Sequence, residues 1–371
     1  MTTLGVLIGR MQPPHVGHID LLNKMLEHCD HVLVLLGSSK RSRDTKNPFR
    51  WQKRAWMATR LFQEQYAVRP RVTETPVFIR TEFNNQYVMF QPLRDYPYSN
   101  TRWQFQVQKM VTEFAEDIGA QEIVLYGNKK DESSWYLDLF PRWEHRQIPF
   151  FKPQGKVLNA SDVRNDILRG GRPMDHEALI GGHGVNSLMA WKHSAEGRRL
   201  CEEAQWIDNF KEPYAALPYP PVFQTVDTVI TWRGLVLLGK RRGNPGKGLW
   251  ALPGGYVNAN EWIEVAAFRE LGEEARTKVY LATRNGRKRL HFDPTWTKNR
   301  KTYDYPGRSQ RGRIITTRFH IQIPDHLEVQ HEAADDLQRT QFFPIHDVLE
   351  RMDYEIFEDH QQIIGDTVLR Y

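Results

Sequence analysis

The chain opens on a strand that has few places to go. Leu4-Gly-Val-Leu-Ile-Gly9 is an apolar run ending in glycine, whereas a strand with one wet face would alternate apolar and polar residues. A run apolar on both faces belongs inside a parallel sheet covered by helices, with its glycine at the turn into the first of them. A helical pattern follows at about residues 16–27, and a second apolar run, His31–Gly37, comes next. The alternation continues, with extended runs at Arg71–Phe83 and Glu122–Tyr126 and helical patterns near Arg50–Gln65 and Thr101–Ile118. Repeated strand–helix–strand units predict a doubly wound α/β domain, closing near residue 183.

At 371 residues the chain is too long for one ordinary domain. A helical stretch at Lys192–Lys211 and then Leu217-Pro-Tyr-Pro-Pro221, whose prolines forbid a continuing helix, place an inter-domain connection at 184–221. From residue 222 the pattern changes. Val222–Thr231 and Leu235–Lys240 are β-rich, residues 243–255 are punctuated by glycine and proline, and 260–275 is strongly helical. Strands return near 278–283 and 314–323, and a final helix is expected from 345 onward, so this half reads as α+β. There is no internal repeat.

No apolar stretch reaches the roughly 18 residues of a membrane span, and the N-terminus lacks a basic-then-apolar leader, so secretion is not expected. Cys29 and Cys201 match neither a disulfide framework nor a metal-ligand spacing, as expected of buried thiols in a reducing cytosol. The net charge of +6 is uneven: residues 276–318 hold 13 Lys and Arg against 2 Asp and Glu, and residues 325–366 hold 2 against 12. A concentrated basic block suits a phosphorylated small substrate as well as a nucleic acid.

Gly9-Arg-Met-Gln-Pro-Pro-His15-Val-Gly17-His18 follows the first strand, with helical periodicity starting at once. His15 and His18, three apart, share one face at the helix N-terminus, where unpaired N–H groups and the positive end of the helix dipole favour a polyphosphate. Gly17 lets the backbone approach that ligand. A polar surface pair is the alternative. The His-x-Gly-His run after the first strand resembles the nucleotidyltransferase α/β-phosphodiesterase superfamily. Its second signature is met by Asn159-Ala-Ser161-Asp-Val-Arg164, with Asn159 where the family usually has serine, Ser161 where it has threonine, and Arg164 kept. Lys46-Asn-Pro-Phe49, Asp95-Tyr-Pro-Tyr-Ser-Asn-Thr-Arg-Trp103, Gly127-Asn-Lys-Lys-Asp131-Glu-Ser-Ser134 and Phe140-Pro-Arg-Trp143 resemble the nicotinamide-mononucleotide (NMN) adenylyltransferase branch found in bifunctional chains.

That resemblance implies in-line attack of the NMN phosphate on the α-phosphorus of ATP, giving NAD and pyrophosphate. His15 and His18 would contact the ATP phosphates, Arg10 and Arg164 would offset charge on the leaving pyrophosphate, and Mg²⁺ would bridge phosphate oxygens. Asp95 and Trp103 would contact the nicotinamide, with a core anchor as the alternative for Trp103. Gly9, Asn47 and Ser161 complete the implied substrate contacts.

In the second half, Glu270, Glu273 and Glu274 are spaced i, i+3, i+4. One helical face then carries three carboxylates, which repel unless a cation sits among them, and hard oxygen ligands suit Mg²⁺ or Mn²⁺. A solvated acidic face would leave Glu261, Arg269 and Leu252-Pro-Gly-Gly255 unexplained at their offsets. The segment is similar to the Nudix pattern, Gly-x5-Glu-x7-Arg-Glu-U-x-Glu-Glu-x-Gly-U (U, bulky aliphatic), from Gly255 through Glu274. Arg276 replaces its last glycine and Thr277 its last aliphatic residue. Membership implies metal ligands Glu261, Glu270, Glu273 and Glu274, with Arg269 holding the carboxylates. The general base is Glu274 or Glu332. Phe292-Asp-Pro294 and Tyr305–Thr316 resemble the segment that ADP-ribose-type Nudix domains use, with Arg308 and Arg311 toward the diphosphate; a basic surface hairpin is the alternative.

Together the halves resemble bifunctional NMN adenylyltransferase/ADP-ribose pyrophosphatases over nearly the whole chain. The implied organisation is a Rossmann-like α/β nucleotidyltransferase domain (1–183), a connection (184–221) and an α+β Nudix domain (222–371). The expected molecule is a cytoplasmic enzyme of NAD metabolism acting on ATP, NMN and ADP-ribose, open to homo-oligomerisation, with neither nucleic acid nor membrane as partner. Two other readings stand beside it: an acceptor such as pantetheine phosphate or FMN, and a Nudix fold kept as a ligand sensor. The acidic residues after 340 lack a basic recognition helix, which weighs against DNA.

Overall fold

A computed structural model describes residues 1–83, 85–128, 132–149, 151–152, 158–284 and 286–369. It divides into two compact units, one running to Cys201 and one starting at Glu202.

The first unit contains β1 (Thr3–Gly9), α1 (Val16–Leu26), β2 (His31–Leu36), α2 (Trp51–Tyr66), β3 (Arg71–Glu74), β4 (Ile79–Phe83), β5 (Gln86–Pro92), α3 (Asn100–Asp117), β6 (Glu122–Tyr126), β7 (Glu144–Arg146), α4 (Ala160–Leu168) and α5 (Glu177–Lys192). Among the described residues its strands form one sheet in the order β3-β4-β5-β2-β1-β6-β7. The five from β5 to β7 in that order are parallel, and β3 and β4 add an antiparallel edge. The doubly wound parallel sheet is therefore present with one difference. The expected single run Arg71–Phe83 is a hairpin, because Thr75 and Phe78 close a turn around Pro76, with the Thr75 hydroxyl accepting from the Phe78 N–H. β5 behind it has no counterpart in the sequence reading.

β1 packs both faces, as its composition required. Leu4, Val6 and Ile8 meet Val107, Val111 and Phe114 of α3, whereas Leu7 on the other face joins Ile19 and Leu22 of α1 and Ala55 and Ala58 of α2. Because β1 lies between β2 and β6, its C-terminal end is where the connections diverge to opposite sides, the position at which open parallel sheets leave a crevice for ligand.

α6 (Ala195–Lys211) runs across the division between the units. The second unit continues through β8 (Val222–Trp232), β9 (Leu235–Arg241), β10 (Trp250–Ala251), α7 (Ile263–Glu274), β11 (Lys278–Thr283), β12 (Gly286–Leu290), β13 (Thr297–Tyr303), β14 (Arg313–Gln322), β15 (Glu328–Gln330), β16 (Leu337–Pro344), α8 (Ile345–Glu350) and α9 (His360–Val368). One sheet has the order β10-β9-β8-β14-β13 with β16 on β9, and a smaller one has β12-β11-β15. β8 and β14 run parallel over ten residue pairs. α7 buries Ala266 and Ala267 against Val226 and Phe319, and Leu271 against Ile230 and Leu237, with Glu270 and Glu274 buried beside the Gly254–Gly255 turn. The expected final helix is two, parted at residues 351–359. No described helix is long and apolar enough to cross a membrane.

Candidate active sites

In the first unit, the crevice beyond β1 is a cavity of about 340 Å³ whose lining includes Arg10, Gln12, His15, Gly17, His18, Asn128, Ser134, Tyr136, Asn159, Ser161 and Arg164. His15 is the N-cap of α1 and His18 lies in its first turn. The two imidazoles are 3.8 Å apart between centroids, and the His15 backbone N–H donates to His18 Nδ1 at 3.2 Å. Burial, with His15 beside it, holds His18 well below the ordinary imidazole value, so the ring is neutral and carries its proton on Nε2. A Cβ at Gly17 would stand 3.2 Å from the His15 ring, which ties that glycine to the ring's position.

Arg164 donates to the Gln12 carbonyl at 2.9 Å and to Ser161 Oγ at 3.0 Å. Burial and then Arg10 lower it to about 10, and burial, Arg10 and Arg41 likewise lower Lys46. Cations are crowded here against Asp44, an arrangement that an incoming anion would relieve. Gln12 also clamps the backbone of Phe49 in both directions, at 3.1 Å each, so the 38–49 loop is locked to the turn after β1. This residue was not anticipated, since its partner is 37 positions away.

Asn47, Asp95 and Trp103 are not among the described residues lining this cavity. Asn47 is buried and bonded to Asp44. Asp95 accepts from the Ser38 N–H at 3.0 Å and from Ser38 Oγ at 2.6 Å, fastening the turn after β2. Trp103 sits among Trp135, Tyr136 and Phe140, with centroids 5.7–6.2 Å away. Gly9 has open space where a Cβ would stand and ties the turn through its carbonyl to the Gly37 N–H. Lys129, Lys130 and Asp131 lie outside the described residues.

In the second unit, Arg269 organises the carboxylates. It bonds Glu261 through Nε and Nη2 at 3.0 and 2.6 Å, and Glu270 and Glu273 through Nη1 at 2.8 Å each. Its remaining bond reaches the Tyr256 carbonyl at 3.0 Å. The Arg269 bonds hold Glu261 down at about 2. Burial raises Glu274 to about 8, against the pull of the Gly254 N–H that it accepts at 2.9 Å, and Glu270 adds to the rise. Both glycines are needed where they stand. A Cβ on Gly255 would lie 2.5 Å from Glu270 Oε1, and one on Gly254 would strike the Val226 carbonyl.

As placed, among the described residues no three His, Cys, Asp or Glu side chains converge on a point, since Glu261, Glu270 and Glu273 turn to Arg269. The donor set nevertheless fits a hard divalent cation: it is all oxygen, and the buried Glu274, unwilling to ionise alone, gains from one.

Glu332 is exposed, 3.9 Å from Arg276, while its N–H bonds the Ala275 carbonyl and the Ala334 N–H bonds that of Glu274. The 332–334 loop is thereby pinned to the end of α7. Arg276, in place of the usual glycine, takes φ +36°, the left-handed conformation glycine serves there. Arg311 reaches the Tyr256 hydroxyl at 3.2 Å and Glu358 at 3.6 Å, beside the Gly255 turn. Arg308 differs from expectation: it is buried, bonded to Asp359 at 3.1 and 2.9 Å and 3.5 Å from Asp227. Burial opposes its charge, but Asp359 and Asp227 hold it above the ordinary guanidinium range.

Comparison with known proteins matches both halves. The NUDIX domain family model covers residues 221–364 and the cytidylyltransferase-like model covers 6–136. The nicotinamide/nicotinic acid mononucleotide adenylyltransferase of Acinetobacter baylyi is 31% identical over 165 residues, 44% of this chain and 75% of that protein. The ADP-ribose pyrophosphatase of Methanocaldococcus jannaschii is 32% identical over 141 residues, 38% of this chain and 70% of that protein. A bifunctional NMN adenylyltransferase/ADP-ribose pyrophosphatase from Francisella tularensis aligns over 100% of this chain and 99% of its own, at 27% identity and a TM-score of 0.82. A second structure of the Francisella protein, complexed with AMP and a Mn ion, aligns with a TM-score of 0.81. With each half matched in sequence and the pair matched end to end in structure, the chain belongs to the bifunctional NMN adenylyltransferase/Nudix ADP-ribose pyrophosphatase family.

Proposed function

We propose that the chain carries two activities of NAD metabolism. The first joins ATP and NMN: a phosphate oxygen of NMN attacks the α-phosphorus of ATP, the bond to the β-phosphate oxygen breaks, and NAD and pyrophosphate leave. No covalent enzyme intermediate is needed, so the protein's work is positioning and charge neutralisation. The carrying observation is the cavity at the C-terminal end of β1, where two adjoining imidazoles, one of them neutral, meet the Arg10 and Arg164 cations at a helix N-terminus. Neutral His18 offers an Nε2–H to a phosphate oxygen without the desolvation cost of a buried imidazolium. Arg10 and Arg164, crowded when the site holds no anion, gain most as negative charge moves to the leaving pyrophosphate.

The second activity hydrolyses ADP-ribose to AMP and ribose 5-phosphate. Glu261, Glu270, Glu273 and Glu274 would hold Mg²⁺, with Mn²⁺ as the alternative; such an ion activates phosphorus toward attack and acidifies water. Arg269 orients three of those carboxylates by hydrogen bonds, and Arg311 supplies positive charge beside the Gly255 turn. Glu274 and Glu332 remain the two choices for the base. The chain would work in the cytoplasm.

One pair of assays tests both halves. ATP with NMN should yield NAD, and ADP-ribose with Mg²⁺ or Mn²⁺ should yield AMP. Adenylylation of pantetheine phosphate or FMN in place of NMN would move the first assignment to another acceptor. Binding of ADP-ribose without AMP release would make the second unit a sensor.

A further inference from the structure

The Leu252-Pro-Gly-Gly255 segment brings Gly254 and Gly255 against Glu274 and Glu270, and residues far from the Nudix pattern hold its other side. The Leu252 N–H donates to His360 Nδ1 at 2.9 Å, over a separation of 108 positions. His360 Nε2 faces Asp227 Oδ1 at 3.6 Å, and the Thr316 hydroxyl donates to Asp227 Oδ2 at 2.7 Å. Arg308 then bridges Asp227 and Asp359, the residue preceding His360. All of these side chains are buried. The backbone of β8 completes the seam, with Thr228 N–H donating to the Pro253 carbonyl at 2.8 Å and Val226 N–H to that of Gly255 at 2.9 Å. Asp227 itself packs on the segment, since a Cβ on Gly254 would stand 3.0 Å from its Oδ1.

We propose that His360, Asp227, Asp359 and Arg308 are positioning residues for the hydrolase, a buried network that sets the Leu252–Gly255 segment and through it Glu270 and Glu274. The proposal rests on the hydrolase reading above. Burial keeps His360 below the ordinary imidazole value, so Nδ1 is available to accept from Leu252 while Nε2–H points to Asp227. A buried ion pair kept only for stability can often be exchanged for apolar residues at no loss. This one has a further job, because its bond to the main chain falls on the residue that leads into the two glycines. A shift of a few tenths of an ångström at Leu252 passes directly to the Gly254 N–H that Glu274 accepts and to the space that Glu270 occupies beside Gly255.

The test uses the full chain and three variants. His360→Leu removes the acceptor; His360→Asn keeps one, its Oδ1 standing near the place of Nδ1; Thr316→Val removes only a tether on Asp227. Three quantities are measured on each: binding of Mn²⁺ alone by electron paramagnetic resonance, kcat and KM for ADP-ribose, and NAD formation from ATP and NMN as the internal control. His360→Leu should weaken Mn²⁺ binding about 10–100-fold, as loss of an outer-shell partner does. It should lower kcat with KM little changed and leave NAD formation intact. His360→Asn should recover most of both losses, and Thr316→Val should show a smaller loss in the same direction. Wild-type Mn²⁺ binding and kcat in His360→Leu would overturn the proposal, and so would equal losses in His360→Asn, which would make ring volume the cause. If His360→Leu fails to fold, an unchanged Thr316→Val overturns it as well. A wild-type chain that binds Mn²⁺ but releases no AMP overturns the hydrolase reading alone, and the Mn²⁺ measurement still decides the positioning role.

Discussion

Gly255→Ala is the sharpest single perturbation of the Nudix site. Gly255 has no positive φ, so alanine meets no backbone penalty and the effect is confined to its Cβ. That atom would lie 2.5 Å from Glu270 Oε1, 2.6 Å from its Cδ and 2.7 Å from Oε2, so the whole carboxylate must leave. A flexible side-chain end usually yields cheaply, but Glu270 is 9% exposed and bonded to Arg269 at 2.8 Å. Its departure costs a charge-assisted hydrogen bond, about 1.5–3 kcal/mol, which corresponds to a loss of about one to two powers of ten in rate if the bond is needed in the transition state. Steady-state hydrolysis of ADP-ribose should therefore show kcat/KM reduced about 10–100-fold, with NAD formation by the same preparation unaltered. Gly272→Ala is the matched control, on the same helix with nothing within 4 Å of its Cβ. It should leave kcat alone and add about 0.5–1 kcal/mol of stability. Hydrolysis by Gly255→Ala equal to that of Gly272→Ala would refute the reasoning, since Glu270 would then not need its present place.

Four further outcomes follow from the same structure. His18→Ala should lower the kcat of adenylyl transfer roughly 10²–10³-fold with ATP affinity little changed, and equal losses in both would remove the transition-state role. Arg276→Gly should stabilise the second unit by up to about 1 kcal/mol, because φ +36° suits glycine and the 3.9 Å contact with exposed Glu332 contributes little; urea unfolding would show it, and a lower midpoint would count against the strain. Arg308→Met should destabilise by about 3–5 kcal/mol by leaving buried Asp359 and Asp227 without their cation, whereas a stable variant with a raised KM for ADP-ribose would return Arg308 to the substrate. Glu274, about 8 in the folded chain against 4.5 ordinarily, binds its proton more tightly folded than unfolded. Metal-free stability should thus fall as pH rises from about 4.5 through 8, and Glu274→Gln should flatten that slope in denaturation curves taken at each pH.

How much could be read from the sequence depends on how far along the chain each contact reaches. His15 with His18, and Glu270 with Glu273 and Glu274, are neighbours because a helix returns every 3.6 residues, so their spacing alone announced them. β1 could be recognised because an apolar run ending in glycine has few other homes. β5 could not: Gln86–Pro92 mixes polar and apolar residues, and its place beside β2 depends on sheet pairing. Trp103 and Asp95 carry a family resemblance in sequence, yet their contacts, an aromatic cluster and Ser38, follow from how α3 and the β2 turn pack.

By itself the sequence determined the two chemistries, since each rests on residue types held at fixed local offsets: a glycine-ended strand feeding a histidine-capped helix, and a glutamate-rich helix with its arginine. The tertiary structure alone decided which residues support them. Arg164 meets Gln12 across 152 positions, His360 meets Leu252 across 108, and Arg308 turns inward to Asp359, 51 positions away. Such pairings have no period to betray them. They form because packing brings distant strands and helices together, and a charge buried there must find its counter-charge wherever the fold has put one.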